Sequence, residues 1–325
     1  MRLIYACVKQ KWIAPCICLS IVAPNYRLGG IVYEFLHDLS WVVDMRSESL
    51  TSFFKAVTWF GYTTFYMIFL SIGFWLWSYR KFTRLAVLIA VSGLLNAYLK
   101  DFWQDPRPVF PPSLDGKAAE SFGLPSGHAQ ISATLWIWLC LEMRKGWLWF
   151  IGIVMVGLIC LSRLYLAVHD VEDILGGLAI AAVLIVGFWN LPLRTYVSSR
   201  RPLRFEPIIA LILFQAALIA TWPGPHGAGA AAGLGGFALA WLVGADLARR
   251  AGCRRPDGFV GSAILAVVGI AGLFALYAGA TKVAEAIDPD GWIALYVGTM
   301  LVGLYISLIP PLIYQKLRRS PVAHA

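Results

Sequence analysis

Read from its first residue, the chain alternates long apolar runs with short polar connections. The runs fall at Thr58–Ser78, Leu85–Phe102, His128–Leu141, Trp147–Leu161 and Ile174–Leu191, then at Ile208–Trp222, Ala228–Ala245, Phe259–Ala280 and Trp292–Tyr314. Most approach the ~17–25 residues that a helix needs to cross a bilayer. The pattern therefore predicts an all-α, polytopic membrane bundle of about nine spans. Aromatic residues crowd the run ends, among them Trp59, Trp75, Trp77, Trp103, Trp147, Trp149, Trp222 and Trp292, as an interfacial belt requires. Before Thr58 the pattern changes. Trp12–Ala23 is apolar but short, contains Pro15 and follows Lys9 and Lys11, which suits a signal-peptide core, a marginal span or a misplaced start codon. Ile31–Phe54 mixes apolar residues with Glu34, His37, Asp38, Asp44, Arg46 and Glu48, so it reads as an amphipathic helix lying in the interface.

Composition agrees. The 325 residues are 59% hydrophobic and 14% charged, with a mean hydropathy of +0.70. Soluble domains hold roughly 45–50% apolar and about 25% charged residues. The net charge of +9 would raise the question of nucleic acid in a soluble chain, but the positions of the charges give another answer. Arg80, Lys81 and Arg84; Arg144 and Lys145; Arg194, Arg200, Arg201 and Arg204; Arg249, Arg250, Arg254 and Arg255; and Lys316, Arg318 and Arg319 occupy alternate connections. By the positive-inside rule these connections and the C-terminus are cytoplasmic. The other connections hold few cations and face away from the cytoplasm, toward a periplasm, an exterior or a lumen. The expected partner is the lipid bilayer, not nucleic acid.

Ionisable residues are expensive in such a chain, so their clusters point to function. Three clusters lie at the outer ends of runs. The first, Lys100 to Pro108, places Lys100 and Arg107 seven residues apart. The second, Gly123-Leu124-Pro125-Ser126-Gly127-His128, lets Ser126 cap a helix whose free N–H groups form an anion seat. In the third, Ser162-Arg163 is followed by His169 and Asp173, which stand at i and i+4 so that the carboxylate can orient the imidazole. Alone, each has an ordinary structural explanation: snorkelling cations, a plain N-cap, a tethering His–Asp pair. The topology brings them to one face. Together they supply fixed cations and N–H groups for phosphoryl oxygens, a nucleophile and an acid for the leaving group, with no call for a metal or other cofactor.

These residues resemble the type-2 phosphatidic acid phosphatase superfamily, whose signature reads K-x6-R-P, then P-S-G-H, then S-R-x5-H-x3-D. Lys100, Arg107 and Pro108 match the first part, Pro125, Ser126, Gly127 and His128 the second, and Ser162, Arg163, His169 and Asp173 the third. The resemblance covers Thr58 to Leu191. It implies that His169 attacks phosphorus, that Asp173 orients it and that His128 protonates the leaving oxygen. It further implies that Lys100, Arg107, Arg163, Ser126 and the Gly127 N–H bind the phosphate oxygens. The substrate expected is a membrane lipid phosphate or pyrophosphate: phosphatidic acid, phosphatidylglycerophosphate, a sphingoid base phosphate or a polyprenyl pyrophosphate.

The chain reads as three segments: 1–57, an N-terminal apolar and interfacial region; 58–192, a phosphatase core of the six-helix type; and 193–325, about four additional transmembrane helices. The extra helices look like those of the glucose-6-phosphatase and sphingosine-1-phosphate phosphatase branches. Two other readings use the same residues: a phosphotransferase that passes the group to an alcohol, and a transporter or scaffold that binds phosphate without cleaving it. Cys7, Cys16, Cys18, Cys140, Cys160 and Cys253 read as small apolar packers. Leu114, Phe110 and Phe122 are apolar enough to touch a lipid chain. His37 and His226 are assigned to the outer interface, and Glu142 and Asp246 to the inner one.

Overall fold

A computed structural model describes residues 33–116, 121–190, 205–224, 228–287 and 292–319. Trp12–Ala23, His226 and the basic residues at 194–204 lie outside them. The chain divides into two compact units, Met1–Leu36 and His37–Ala325. The described elements of the second unit are helical, with no strand among the described residues. In chain order they are α1 (Trp41–Met45), α2 (Glu48–Thr58), α3 (Thr63–Ile72), α4 (Tyr79–Trp103), α5 (Gly127–Met143), α6 (Gly146–Tyr165) and α7 (Val171–Asn190). Beyond the core come α8 (Phe205–Ala220), α9 (Ala228–Arg250), α10 (Phe259–Ile287) and α11 (Trp292–Arg319).

All nine apolar runs fall on helices. Among the described residues, five helices are long and apolar enough to cross a membrane, and a sixth span is formed if the bent pair Glu48–Gly61 and Thr63–Trp77 is counted as one. Of the nine expected spans, α5 with 17 residues, α8 with 16 and the Gly- and Ala-rich α9 are not among these six. The first run also differs from its expected form. The helix starts at Glu48, capped by Ser47 through the Leu50 N–H at 3.3 Å. It tightens into a 3₁₀ turn at Trp59–Gly61 and bends by 55° into α3. The interfacial stretch is likewise broken into α1 and α2 instead of forming one helix.

Helix α4 is the central strut. Ser78 caps its start, accepting from the Lys81 N–H, and Gln104 ends it in the left-handed region at φ 51°. Its 25 residues span about 37 Å. Lys100 stands at one end. At the other, Arg84 pairs with buried Glu142 of α5 at 2.8 Å, Lys81 Nζ donates to the Glu142 carbonyl, and Arg255 donates to the Trp77 carbonyl. Glu142 is thus an ion-pair partner, and Asp246 is held by Arg249 and Arg250.

Between α4 and α5 runs a line of buried polar side chains. Asn96 Nδ2 donates to Gln130 Oε1 at 2.8 Å and to the Pro125 carbonyl at 3.1 Å. Gln130 Nε2 donates to the carbonyl and hydroxyl of Ser92, at 2.9 and 3.0 Å. In an apolar surrounding such bonds fix the register of two helices. On the far side of α4, the Gly- and Ala-rich α9 packs against both α4 and α11. A Cβ at Gly303 of α11 would stand 2.6 Å from the Phe237 carbonyl oxygen, so the backbones themselves are in contact. Cys140, Cys160 and Cys253 are free thiols.

Gly303→Val is expected to lower the thermal unfolding midpoint in detergent, at a cost of about 1–3 kcal/mol from forced separation of α9 and α11. An unchanged midpoint would contradict this packing.

Candidate active site

The site lies where α4, α6 and the starts of α5 and α7 converge. Leu124 and Pro125 lead into Ser126, which caps α5 through the Ala129 N–H, and the Ser126 N–H donates to the Asp173 carbonyl at 2.9 Å. The starts of α5 and α7 are thereby joined. A Cβ on Gly177 would lie 2.7 Å from the Ser126 carbonyl oxygen, so this glycine permits the approach. Gly127 opens α5, where the first N–H groups have no intrahelical partner. A Cβ at Gly123 would press on both Asp173 carboxylate oxygens at 3.0 Å.

His169 is 2% exposed. Its Nδ1 lies 2.8 Å from Asp173 Oδ2, and its Nε2 lies 3.3 Å from Arg107 Nη1. The partners assign the tautomer: Nδ1–H donates to the carboxylate, and Nε2 presents its lone pair. Burial pushes the His169 pKa well below the ordinary value, and the charges of Lys100, Arg107 and Arg163 push it further. Both effects favour the neutral imidazole, the form whose free nitrogen can act as a nucleophile.

The three predicted cations all reach the pocket, and each also holds a loop. Lys100 Nζ donates to the carbonyls of Phe122 and Gly123, leaving one of its three protons for a ligand. Arg107 donates to the Ser121 carbonyl, the Ser121 hydroxyl and the Val168 carbonyl, which ties the 121–123 segment to the His169 loop. Burial, then the charge of Arg163, lowers the Arg107 pKa to about 10, so it remains a cation. Arg163 Nη1 donates to Thr58 Oγ1 at 2.6 Å and pairs with Asp115 at 2.9 Å. Ser162, by contrast, commits its hydroxyl to the Ile159 carbonyl within its own helix.

His128 faces the same charges. Its ring meets Tyr62 edge to face at 5.0 Å, and the backbone of Gly61 lies close against it. Its Nε2 is buried with no partner among the described residues, as is Asp173 Oδ1. An orphaned nitrogen in a pocket of cations is the kind of unsatisfied group that a ligand oxygen completes.

Several residues of the site were not singled out by the sequence. Asp115 accepts from Tyr62 at 2.7 Å and from Arg163. Asn96 and Gln130 brace the turn before Ser126, and their polarity inside apolar runs was the one available signal. His37 pairs with Asp170 and Glu172 instead of facing the interface alone. Leu114 packs beside Leu39, Val42 and Tyr165, whereas Phe110 is exposed.

Comparison with known proteins bears on this arrangement. Residues 81–196 match the PAP2 superfamily. The chain is 35% identical over 133 residues to sphingosine-1-phosphate phosphatase 2 of Mus musculus, covering 38% of this chain and 38% of that one. It is 31% identical over 172 residues to lipid phosphate phosphatase delta of Arabidopsis thaliana, covering 47% and 41%. Phosphatidylglycerophosphatase B of Bacillus subtilis is 29% identical over 153 residues, covering 43% of this chain and 74% of that protein. The alignments thus span less than half the length of the first two relatives. Residues 81–196 form a PAP2 superfamily domain, and the matched segment contains all eight predicted site residues, Lys100, Arg107, Ser126, Gly127, His128, Arg163, His169 and Asp173.

An anion seated on Arg163 would have to share it with the Asp115 carboxylate, 2.9 Å from Nη1. Asp115→Asn is expected to tighten orthophosphate binding by about tenfold, or about 1.4 kcal/mol, in calorimetric titration. Weaker binding would mean that Asp115 aims Arg163 at the anion instead of withholding it.

Proposed function

We propose that the protein is a membrane lipid phosphatase that hydrolyses a phosphate monoester or pyrophosphate through a phosphohistidine on His169. The observation that carries this reading is the pair of histidines in one cationic pocket: buried His169, oriented by Asp173, and half-buried His128, whose Nε2 is buried and orphaned among the described residues. Binding alone would need only the cations, which weighs against a transporter or scaffold.

In the proposed reaction the lone pair of His169 Nε2 attacks phosphorus. The bond from phosphorus to the lipid oxygen breaks, and that oxygen takes a proton from His128 Nε2 as it leaves. Asp173 balances the charge that develops on the His169 ring. Lys100, Arg107, Arg163, Ser126 and the Gly127 N–H hold the equatorial oxygens, whose charge is greatest in the transition state. Water then attacks the phosphohistidine and gives a proton to His128. The P–N bond breaks, releasing inorganic phosphate and restoring neutral His169. No step calls on a metal.

The names of the relatives support testing a sphingoid base phosphate first, ahead of phosphatidylglycerophosphate. The charge pattern supports an extracytoplasmic site and a cytoplasmic C-terminus, since the basic connections belong to the opposite helix ends. The polar site at the end of α4 suits a headgroup whose chains stay in the bilayer.

Purified in detergent with EDTA, the protein is expected to release phosphate from sphingosine-1-phosphate, phosphatidic acid or phosphatidylglycerophosphate. His169→Ala is expected to reduce that release by at least about 10³-fold. Release that survives the substitution overturns the mechanism, and transfer to an added alcohol without hydrolysis would favour the phosphotransferase.

A further inference from the structure

The nucleophile's loop is held from outside the signature. Asp170 follows His169 directly and opens α7: its Oδ1 accepts the Asp173 N–H at 3.0 Å, fixing the turn that carries both His169 and Asp173. The other carboxylate oxygen, Oδ2, lies 2.7 Å from Nδ1 of His37, and Nε2 of His37 lies 3.0 Å from Glu172 Oε2. The contact runs from His37 through Asp170 to Asp173 and so to His169, and no residue of it except the last two belongs to the three-part signature.

Both ring nitrogens of His37 face a carboxylate. A neutral imidazole has a single N–H, so completing both bonds takes the imidazolium form. The hydrogen bond to Asp170 raises the His37 pKa; burial opposes this, and the charges of Asp170, Glu172 and Asp105 add to the rise. Among the described residues, the charged groups that act on the ring are Asp170 and Glu172 at the start of α7, and Asp105 in the connection after α4. Burial, with the charges of Asp170 and Glu172, in turn raises the pKa of Asp105. Three carboxylates thus crowd a place where His37 supplies the balancing cation. The contact does not dock the segment by itself, because Leu39 and Val42 are packed independently against Leu166, Ala167 and Val168.

We propose that His37 is a positioning residue for the nucleophile: its imidazolium clasps Asp170 and Glu172 and thereby sets the turn that aims His169 and Asp173. The proposal rests on His169 being the nucleophile. Because the folded pKa of His37 is raised, the clasp is fully formed below the ordinary histidine value and is lost as pH rises through the raised one. Activity therefore carries an alkaline limb that belongs to His37.

The test uses the full chain in detergent, with phosphate release from sphingosine-1-phosphate measured from about pH 5 to 9. His37→Gln is expected to lower kcat about tenfold with KM little changed, and to abolish the alkaline limb, because the amide carries its donors on a single nitrogen, bears no charge and does not titrate. His37→Arg, whose fork stays charged and can bridge both carboxylates, is expected to keep kcat within about threefold and to remain active above the wild-type limb. Wild-type kcat and profile in His37→Gln would overturn the proposal. So would a fall in both variants with the limb intact, which is the outcome of a merely structural role. Release that persists in His169→Ala would overturn the nucleophile and this inference together, whereas loss in His169→Ala with a silent His37→Gln overturns His37 alone.

Discussion

Lys100 and Arg163 are 8% and 2% exposed, and a cation so placed is tolerable only where its donors find oxygens. The carbonyls of Phe122 and Gly123, the carboxylate of Asp115 and the hydroxyl of Thr58 supply them. Phe122, Gly123 and Asp115 belong to the connection between α4 and α5, and Thr58 ends α2. The cations that would seat a phosphate group are therefore also what give the pocket its shape. A pocket assembled this way is pre-organised, since its positive charge is present and oriented before a ligand arrives.

The same constraint explains the division of labour among helices. Helix α4 carries Lys100 at one end and Arg84 at the other, and it is fastened to α5 by Ser92, Asn96 and Gln130 and to α9 by close helix packing. Among the described residues, the C-terminal helices contribute no side chain to the site. Their contact with α4 stiffens the strut on which Lys100 is mounted. On the other flank, α2 lies on α6 through Tyr165, whose hydroxyl accepts from the Ser47 N–H and whose ring meets Phe54 at 4.5 Å. The bend after Gly61 then lets Tyr62 reach both His128 and Asp115.

Much of this was legible in the sequence. The apolar runs place the helices, and the pairs Lys100 with Arg107, Ser126 with His128 and His169 with Asp173 lie close in the chain, so spacing alone shows which could cooperate. The break at Gly61 was marked only by the short Gly61-Tyr62-Thr63-Thr64 stretch within the otherwise largely apolar run Thr58–Ser78, and a second glycine, Gly73, made that signal ambiguous. Asp115, Tyr62 and His37 escaped for a different reason. They meet Arg163, His128 and Asp170 across distances of 48, 66 and 133 residues in sequence, and such contacts exist only once the helices have packed. Asn96 and Gln130 sat in view as polar residues within apolar runs, but their pairing depends on the register of α4 against α5.

The central claim is that a covalent bond forms between phosphorus and Nε2 of His169. The most direct measurement is to mix the detergent-solubilised protein with phosphate-labelled substrate, quench within the first turnover at alkaline pH, where an N–P bond survives, and locate the label by mass spectrometry. The account predicts one phosphoryl group on His169, absent from His169→Ala. Turnover with no labelled protein, or with the label on another residue, would contradict it.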